Sequence, residues 1–335
     1  MPDRTGAALR DTVRRAVAAL LAAATLIAWS TATRADDYPS RTIRFIVPYA
    51  AGTTVDIRAR QVADRIGGSL GRSVIVENRP GAGATIGAAH VARSAADGYT
   101  ILVGSIADQA VAPNVYPNLA YDPRKDFAAI TQYAETAPIL VAYPGLGVSS
   151  VQELIALAKR KPGEVFLGSW GNGTLTHLLT LQLAQLAGIR ITHVPYRSSS
   201  QALTDAVGGQ ISMTWDYPVS SLRFIEAGQL KALMVIGDKR VDPLPDVPSA
   251  TEAGLPEMRH LAWGGFFAPA GTPKNIVERL NREIVRALNA PEMKALFAEQ
   301  GSRVVTNSPE AFAAFVRSEQ DALAALARAA GARAD

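Results

Sequence analysis

The chain has 335 residues, 48% hydrophobic and 19% charged, which is enough apolar side chain for one or two buried cores. Its formal charge is +4, but residues 1–35 hold five Arg against two Asp, leaving about +1 beyond them and no Lys/Arg run; that balance excludes a nucleic-acid partner. There is no cysteine, so disulfides and thiolate sites are excluded as well.

Arg10, Arg14 and Arg15 precede an apolar run over 16–29, and Thr33-Arg34-Ala35 puts small residues at the −3 and −1 positions of a cleavage site. Residues 1–35 therefore read as a secretory signal peptide, cleaved near Ala35, and the mature chain is expected in the periplasm. The apolar run is shorter than the ~20 residues that a membrane span needs.

Beyond the leader, strands and helices alternate, the pattern of an α/β fold with a mainly parallel sheet. A strand over 41–47 leads into a helix over 55–66, with Val55, Ala59, Val62, Ala63 and Ile66 on one face and Gly67-Gly68 as its stop. A strand at 73–77, a short helix at 86–92 and a strand at 99–103 follow. A strand at 138–142 leads out of this unit, and Pro144-Gly145 breaks it. In a second unit, Ser149 or Ser150 caps a helix to 159, a strand takes 165–168, and Thr174 caps a helix with Leu175, Leu178, Leu179, Leu183 and Leu186 inward. A strand at 191–194, a helix at 201–207, strands at 211–215 and 230–236, and a Pro-rich loop at 242–248 complete it. A strand at 263–268 returns to the first unit. Two helices close the chain, one over 273–288 and one capped by Ser308 with Pro309 at its first position. The second unit is thus inserted into the first: residues 36–137 plus 257–335 form one lobe and 138–256 the other, joined by a hinge.

Three Gly/Ser/Thr-rich turns lie between an apolar strand and a helix: Gly52-Thr53-Thr54-Val55-Asp56, the run from Gly168 to Thr174, and Ser198-Ser199-Ser200. A helix start exposes unpaired N–H groups and the positive end of a dipole, so each turn suits an anion. Small residues admit a ligand close to the backbone, and hydroxyls add donors. Ligands in open α/β sheets sit at the carboxyl ends of strands, where these turns fall. The chain is expected to grip a small anion without transforming it.

Sharper readings fail on spacing. Gly81 to Gly87 gives GxGxxxG after the second strand rather than GxGxxG after the first, and Gly168 to Thr174 lacks the Lys of a phosphate-binding loop. His90, His177, His193 and His260 include no pair with metal-ligand spacing, and neither Ser105 nor Ser169 sits in a G-x-S-x-G elbow. No cofactor, metal or catalytic residue is expected. Asp216, at a strand end, either accepts from a ligand ammonium or hydroxyl or caps the turn at Pro218. Arg197 either pairs a ligand carboxylate or is solvated.

Six segments carry a family resemblance: Val76-Glu77-Asn78-Arg79-Pro80-Gly81-Ala82-Gly83, Asp97-Gly98-Tyr99-Thr100, Tyr121-Asp122-Pro123-Arg124-Lys125-Asp126-Phe127, His193-Val194-Pro195-Tyr196, Leu244-Pro245-Asp246-Val247-Pro248 and Ala268-Pro269-Ala270-Gly271-Thr272-Pro273. In this order the chain resembles the Bug receptors, the extracytoplasmic solute-binding proteins of tripartite tricarboxylate transporters. The resemblance implies a type II periplasmic-binding-protein fold, two Rossmann-like lobes with a ligand cleft between them. It implies a monomer that captures a small carboxylate for membrane transporter subunits; a same-fold sensor is the alternative, and an enzyme of that fold is less favoured. Implied ligand contacts are Tyr49, Gly52, Thr53, Thr54, Ser105 and Asp108 from the first lobe. The second lobe is expected to give Ser169, Trp170, Gly173, Thr174, His177, Tyr196, Arg197, Ser198, Trp215 and Asp216.

Several of these positions depart from the family pattern. Ala51-Gly52-Thr53 replaces Pro-Gly-Gly, Asp108-Gln109 replaces Thr-His, Ser198 replaces Gly, Trp170 replaces a small residue and Trp215 a Phe. Two indoles beside the cleft would suit a flat or aromatic acid through ring stacking.

Overall fold

The computed structural model describes residues 38–330 apart from Gly173 and Arg197, so the expected signal peptide lies outside the described residues. The described residues from Arg41 onward belong to one unit, and all that follows concerns it.

Its first sheet begins with β1 (Ile43–Val47), which leads into helix α1 (Thr54–Leu70), then β2 (Val74–Asn78), α2 (Thr85–Ala92) and β3 (Thr100–Ser105). β1 lies between β2 and β3 and pairs both in parallel. Thr53 caps α1, and the helix runs past Gly67-Gly68, the expected stop. Its end falls at Gly71, whose positive φ of 66° supplies the left-handed cap that lets its N–H reach the carbonyls of Gly67 and Gly68.

β4 (Phe127–Thr136) then crosses the sheet, and after Ala137-Pro138 the chain continues as β5 (Ile139–Ala142) in a second sheet. That sheet gathers α3 (Val151–Arg160), β6 (Phe166–Ser169), α4 (Leu175–Ala187), β7 (Thr192–Pro195), α5 (Ser199–Val207), β8 (Met213–Asp216), α6 (Pro218–Glu226) and β9 (Lys231–Val235). β10 (Ala262–Pro269) returns to the first sheet, followed by α7 (Lys274–Leu288), α8 (Pro291–Glu299), β11 (Arg303–Val304) and α9 (Pro309–Ala330). The strand orders are β11-β4-β10-β3-β1-β2 and β7-β6-β8-β5-β9.

The sheets are mixed rather than mainly parallel. β10 runs antiparallel to both β3 and β4, and β5 runs antiparallel to β8 and β9. The strands entering and leaving the second sheet impose this, because each must traverse its sheet against the strands of the helix-linked units. The parallel trios β2-β1-β3 and β7-β6-β8 remain, and they carry the Gly/Ser/Thr turns at their carboxyl ends.

One buried apolar cluster takes Ile46, Leu102 and Val111 from the first lobe, Leu140, Leu178 and Trp215 from the second, and Leu323 and Leu326 from α9. The rings of Phe45 and Phe266 lie 5.1 Å apart on the first sheet, tilted by 47°. A second cluster, including Ile139, Val141, Leu203 and Val235, fills the other face of the second sheet. β8 is covered on both faces, so all four of its side chains are buried.

Candidate functional site

β1 and β3 are parallel neighbours, so the loops that leave them meet. Tyr49 Oη, just past β1, lies 2.6 Å from Oγ of Ser105, the last residue of β3. Ser105 Oγ donates to Asp108 Oδ1 over 3.0 Å, the Ser105 N–H donates to the same oxygen over 2.7 Å, and Gln109 Nε2 donates to Oδ2 over 2.9 Å. Asp108 lies in a buried π-helical turn, Ala107–Val111, and burial pushes its carboxyl up to about 6 against these donors. Burial, then the charge of Asp108, raises the Tyr49 phenol well above its ordinary value.

The loop into α1 is organised by Asp56. Its carboxylate accepts the Gly52 N–H over 2.9 Å, Asn78 Nδ2 over 2.8 Å and both Nε and Nη2 of Arg60. Hydrogen bonds from Arg60, Gly52 and Asn78 outweigh its desolvation and hold the carboxyl below its usual range. Two expected ligand donors are therefore taken within the protein. Gly52 gives its N–H to Asp56, and Thr53 gives its hydroxyl to the Ala50 carbonyl while capping α1. Both donors are thus engaged inside the turn, Gly52 by the Asp56 carboxylate and Thr53 by the Ala50 carbonyl. Thr54 stays exposed at the first position of α1.

In the second lobe, Ser169 ends β6, Pro195 ends β7 and Asp216 ends β8, all at one edge of adjacent parallel strands. Ser169 is fully buried, its Oγ 2.6 Å from His193 Nε2, so it supports the turn from below rather than facing a guest. The His193 ring stacks on His177 at 4.3 Å, and burial followed by the His177 charge lowers it to about 4. Thr174 Oγ1 caps α4 by accepting the His177 N–H and donates to the Gly171 carbonyl over 2.8 Å. Tyr196 donates its hydroxyl to Asp205 Oδ2 over 2.8 Å, and Ser198 caps α5. Gly173 and Arg197, two expected contacts, lie outside the described residues.

The two tryptophans part company. Trp215 is wholly buried and donates its indole N–H to Thr180 Oγ1 over 3.1 Å, so it belongs to the packing between β8 and α4 and offers no ring to a guest. Trp170 packs edge-on against Tyr217 at 4.9 Å, and its indole nitrogen is buried without a partner among the described residues. Asp216 accepts from the hydroxyls of Ser220 and Ser221, while its Oδ1 is buried and has no hydrogen-bond partner among the described residues; burial raises its pKa. It lines a cavity of about 310 Å³ together with Ser199, Ser200, Ser220, Val219 and Arg223. Two hydroxyl residues opening α5 and one guanidinium thus face a carboxylate with an open lone pair.

Sequence reasoning missed Arg58, Tyr133 and Tyr217. Tyr133 is buried on β4 with its ring 5.6 Å from that of Phe266, and Tyr217 immediately precedes α6 with its ring 4.9 Å from that of Trp170. Pro218 touches the turn at Gly301, where an added Cβ would stand 3.0 Å from its own. Arg58 is 7% exposed; Nη2 donates to Ser302 Oγ, Nε to Gln300 Oε1 over 3.3 Å, and its guanidinium lies 4.9 Å over the Phe297 ring. A signal existed, since Arg58 stands three residues after Val55 and four before Val62, on the apolar stripe of α1.

Residues 58–331 match the family model described as the tripartite tricarboxylate transporter family receptor. The chain is 36% identical over 300 residues to protein BugT of Bordetella pertussis, across 89% of this chain and 92% of that one. Among solved structures, a periplasmic transporter is 37% identical with a TM-score of 0.79, across 89% of this chain and all of that one. The R. palustris protein Rpa4515, solved with adipate, is 33% identical with a TM-score of 0.79, across 89% of this chain and 99% of that one.

Proposed function

This chain belongs to the tripartite tricarboxylate transporter receptor family, the expected Bug-type solute-binding proteins, and from that premise we propose which solute it carries and how. It takes a small carboxylate, a di- or tricarboxylate, amino acid or aromatic acid, into the cleft between residues 36–137 plus 257–335 and residues 138–256. It works in the periplasm after loss of a signal peptide, as a monomer, and passes the solute to membrane transporter subunits without chemical change. The cavity beside Asp216 carries this reading: hydroxyls at the opening of α5 and the Arg223 guanidinium suit a carboxylate, and Asp216 Oδ1, without a partner among the described residues, suits an ammonium or hydroxyl on the same molecule. The adipate held by the R. palustris relative agrees in chemical class. Within the site, the proposed contacts are Tyr49, Thr54, Trp170, Thr174, Tyr196, Ser198 and Asp216, with Ser105, Asp108, Ser169 and His177 holding them in place.

A thermal-shift screen over carboxylates, amino acids and aromatic acids tests the proposal, because a solute that binds only the native state raises its melting temperature. At least one carboxylate should raise the midpoint in a concentration-dependent way, with one-to-one calorimetry. No shift with any of them sinks the reading.

A further inference from the structure

We propose that Arg58 selects for a second negative charge on the bound solute, so that a dianion is held in preference to the monoanion of the same length. This rests on the carboxylate-receptor reading. Arg58 is almost wholly buried, yet both hydrogen bonds it makes among the described residues go to neutral groups, Gln300 and Ser302, and its flat face covers Phe297. Nη1 has no acceptor among the described residues. No ion pair reaches Arg58 there either: Asp56 is taken by Arg60, Glu135 by Arg303 and Glu292 by Arg65.

A guanidinium does not shed its proton, so its charge stays in place whatever the burial. A buried cation without a counter-ion is costly, and proteins otherwise pair such groups. The location supplies the missing partner. Ser302 adjoins Gly301, where an added Cβ would stand 3.0 Å from the Pro218 Cβ and 3.5 Å from the Val219 nitrogen, and Val219 lines the cavity beside Asp216. Arg58 is thus joined, through Ser302, to the turn that approaches Pro218 and Val219 at the rim of that cavity. One carboxylate at α5 and a second toward Arg58 would span the junction and join the lobes. A purely structural role, in which Arg58 only ties α1 to the turn at 300–302, makes a different prediction.

The test measures affinity by calorimetry for succinate, glutarate, adipate and pimelate, each against the monocarboxylate of equal chain length. Wild type should favour the best dianion by about ten- to a hundredfold, the range of a charge-assisted pair. Arg58→Met should bring that ratio close to one with monoanion affinity nearly unchanged, and Arg58→Lys, which keeps the charge, should retain most of it. A ratio unchanged in Arg58→Met, or equal losses for both anions, overturns the proposal and leaves the receptor reading standing. If wild type binds none of these acids and no other carboxylate, the receptor reading fails, and this inference with it. Should Arg58→Met not fold, a ratio in Arg58→Lys as low as one likewise overturns it.

Discussion

With Asp108 ionised, Tyr49 donates its hydroxyl to Ser105. The single hydroxyl proton of Ser105 goes to Asp108 Oδ1, so the 2.6 Å approach between the two oxygens requires the proton of Tyr49 to lie between them. The chain Tyr49–Ser105–Asp108 thus runs inward from the rim of the first lobe to a buried carboxylate, every link oriented by that carboxylate's charge.

Asp108 makes stability fall as pH rises. Its value is 3.8 ordinarily and about 6 in the fold, so the native state keeps the proton over a window where the unfolded chain has lost it. The contribution is complete below about pH 4 and gone above about pH 6, a span of roughly 3 kcal/mol. His193 has the opposite slope: lowered from 6.5 to about 4, it costs stability as pH falls through that window. The two offset one another in the wild type. Asp108→Asn should therefore gain on the wild type as pH rises from about 4 to 6 and then hold level, read from urea midpoints. A flat difference across that range refutes the assignment.

Asp56 should matter more for the loop than for the helix. Removing it leaves the Gly52 N–H without its acceptor, Asn78 Nδ2 with only the Tyr49 carbonyl, and Arg60 with only Asn78 Oδ1. Loss of a buried charged acceptor costs about 2–3 kcal/mol. Because its pKa is lowered in the fold, the stability that it adds is present at neutral pH and lost as pH falls below the ordinary 3.8. Asp56→Ala should lower the denaturation midpoint at pH 7 accordingly and converge on the wild type in acid. A loss that persists in full at pH 2 would assign its role to packing instead.

The parallel trios were legible because local sequence sets them: an alternating or continuous apolar run, then a Gly/Ser/Thr turn, then a capped helix. β4 was not, since Gln132 and Tyr133 interrupt its apolar pattern and its partners β10 and β11 lie far along the chain. α6 was hidden behind Pro218, which reads as a turn and in fact opens the helix. For the site, the capping role of Thr174 followed from position alone, whereas Thr53 and Ser198, read as ligand contacts, also cap their helices. The exclusion of Trp215 did not, because only the helix layer over β8 decides that its ring is enclosed. Arg58 was overlooked for the same reason: what neutralises a buried charge is a property of three-dimensional neighbours.

Thr174 joins helix and turn through one oxygen, which accepts from the His177 N–H and donates to Gly171. Thr174→Val keeps the volume and deletes both bonds. It should cost about 1 kcal/mol as a lost cap and loosen the turn beside Trp170, so that solute affinity and melting temperature fall together. Thr174→Ser, which keeps the hydroxyl, should restore most of each. Full affinity in the Val variant would show that the turn does not need this residue to hold the solute.

Gly301 separates backbone strain from contact between the lobes. Its φ of 65° is left-handed, and a Cβ there would stand 3.0 Å from Pro218 at the start of α6. Alanine meets both penalties, whereas asparagine tolerates the left-handed backbone and meets only the second. Gly301→Ala should therefore lose about 1 kcal/mol or more of stability, and Gly301→Asn visibly less. If the approach of Pro218 helps hold the lobes together on the solute, affinity should drop in both variants by a similar factor despite their different stabilities. Affinities that track stability instead, with Asn near wild type, would mean that the 301 turn serves folding alone.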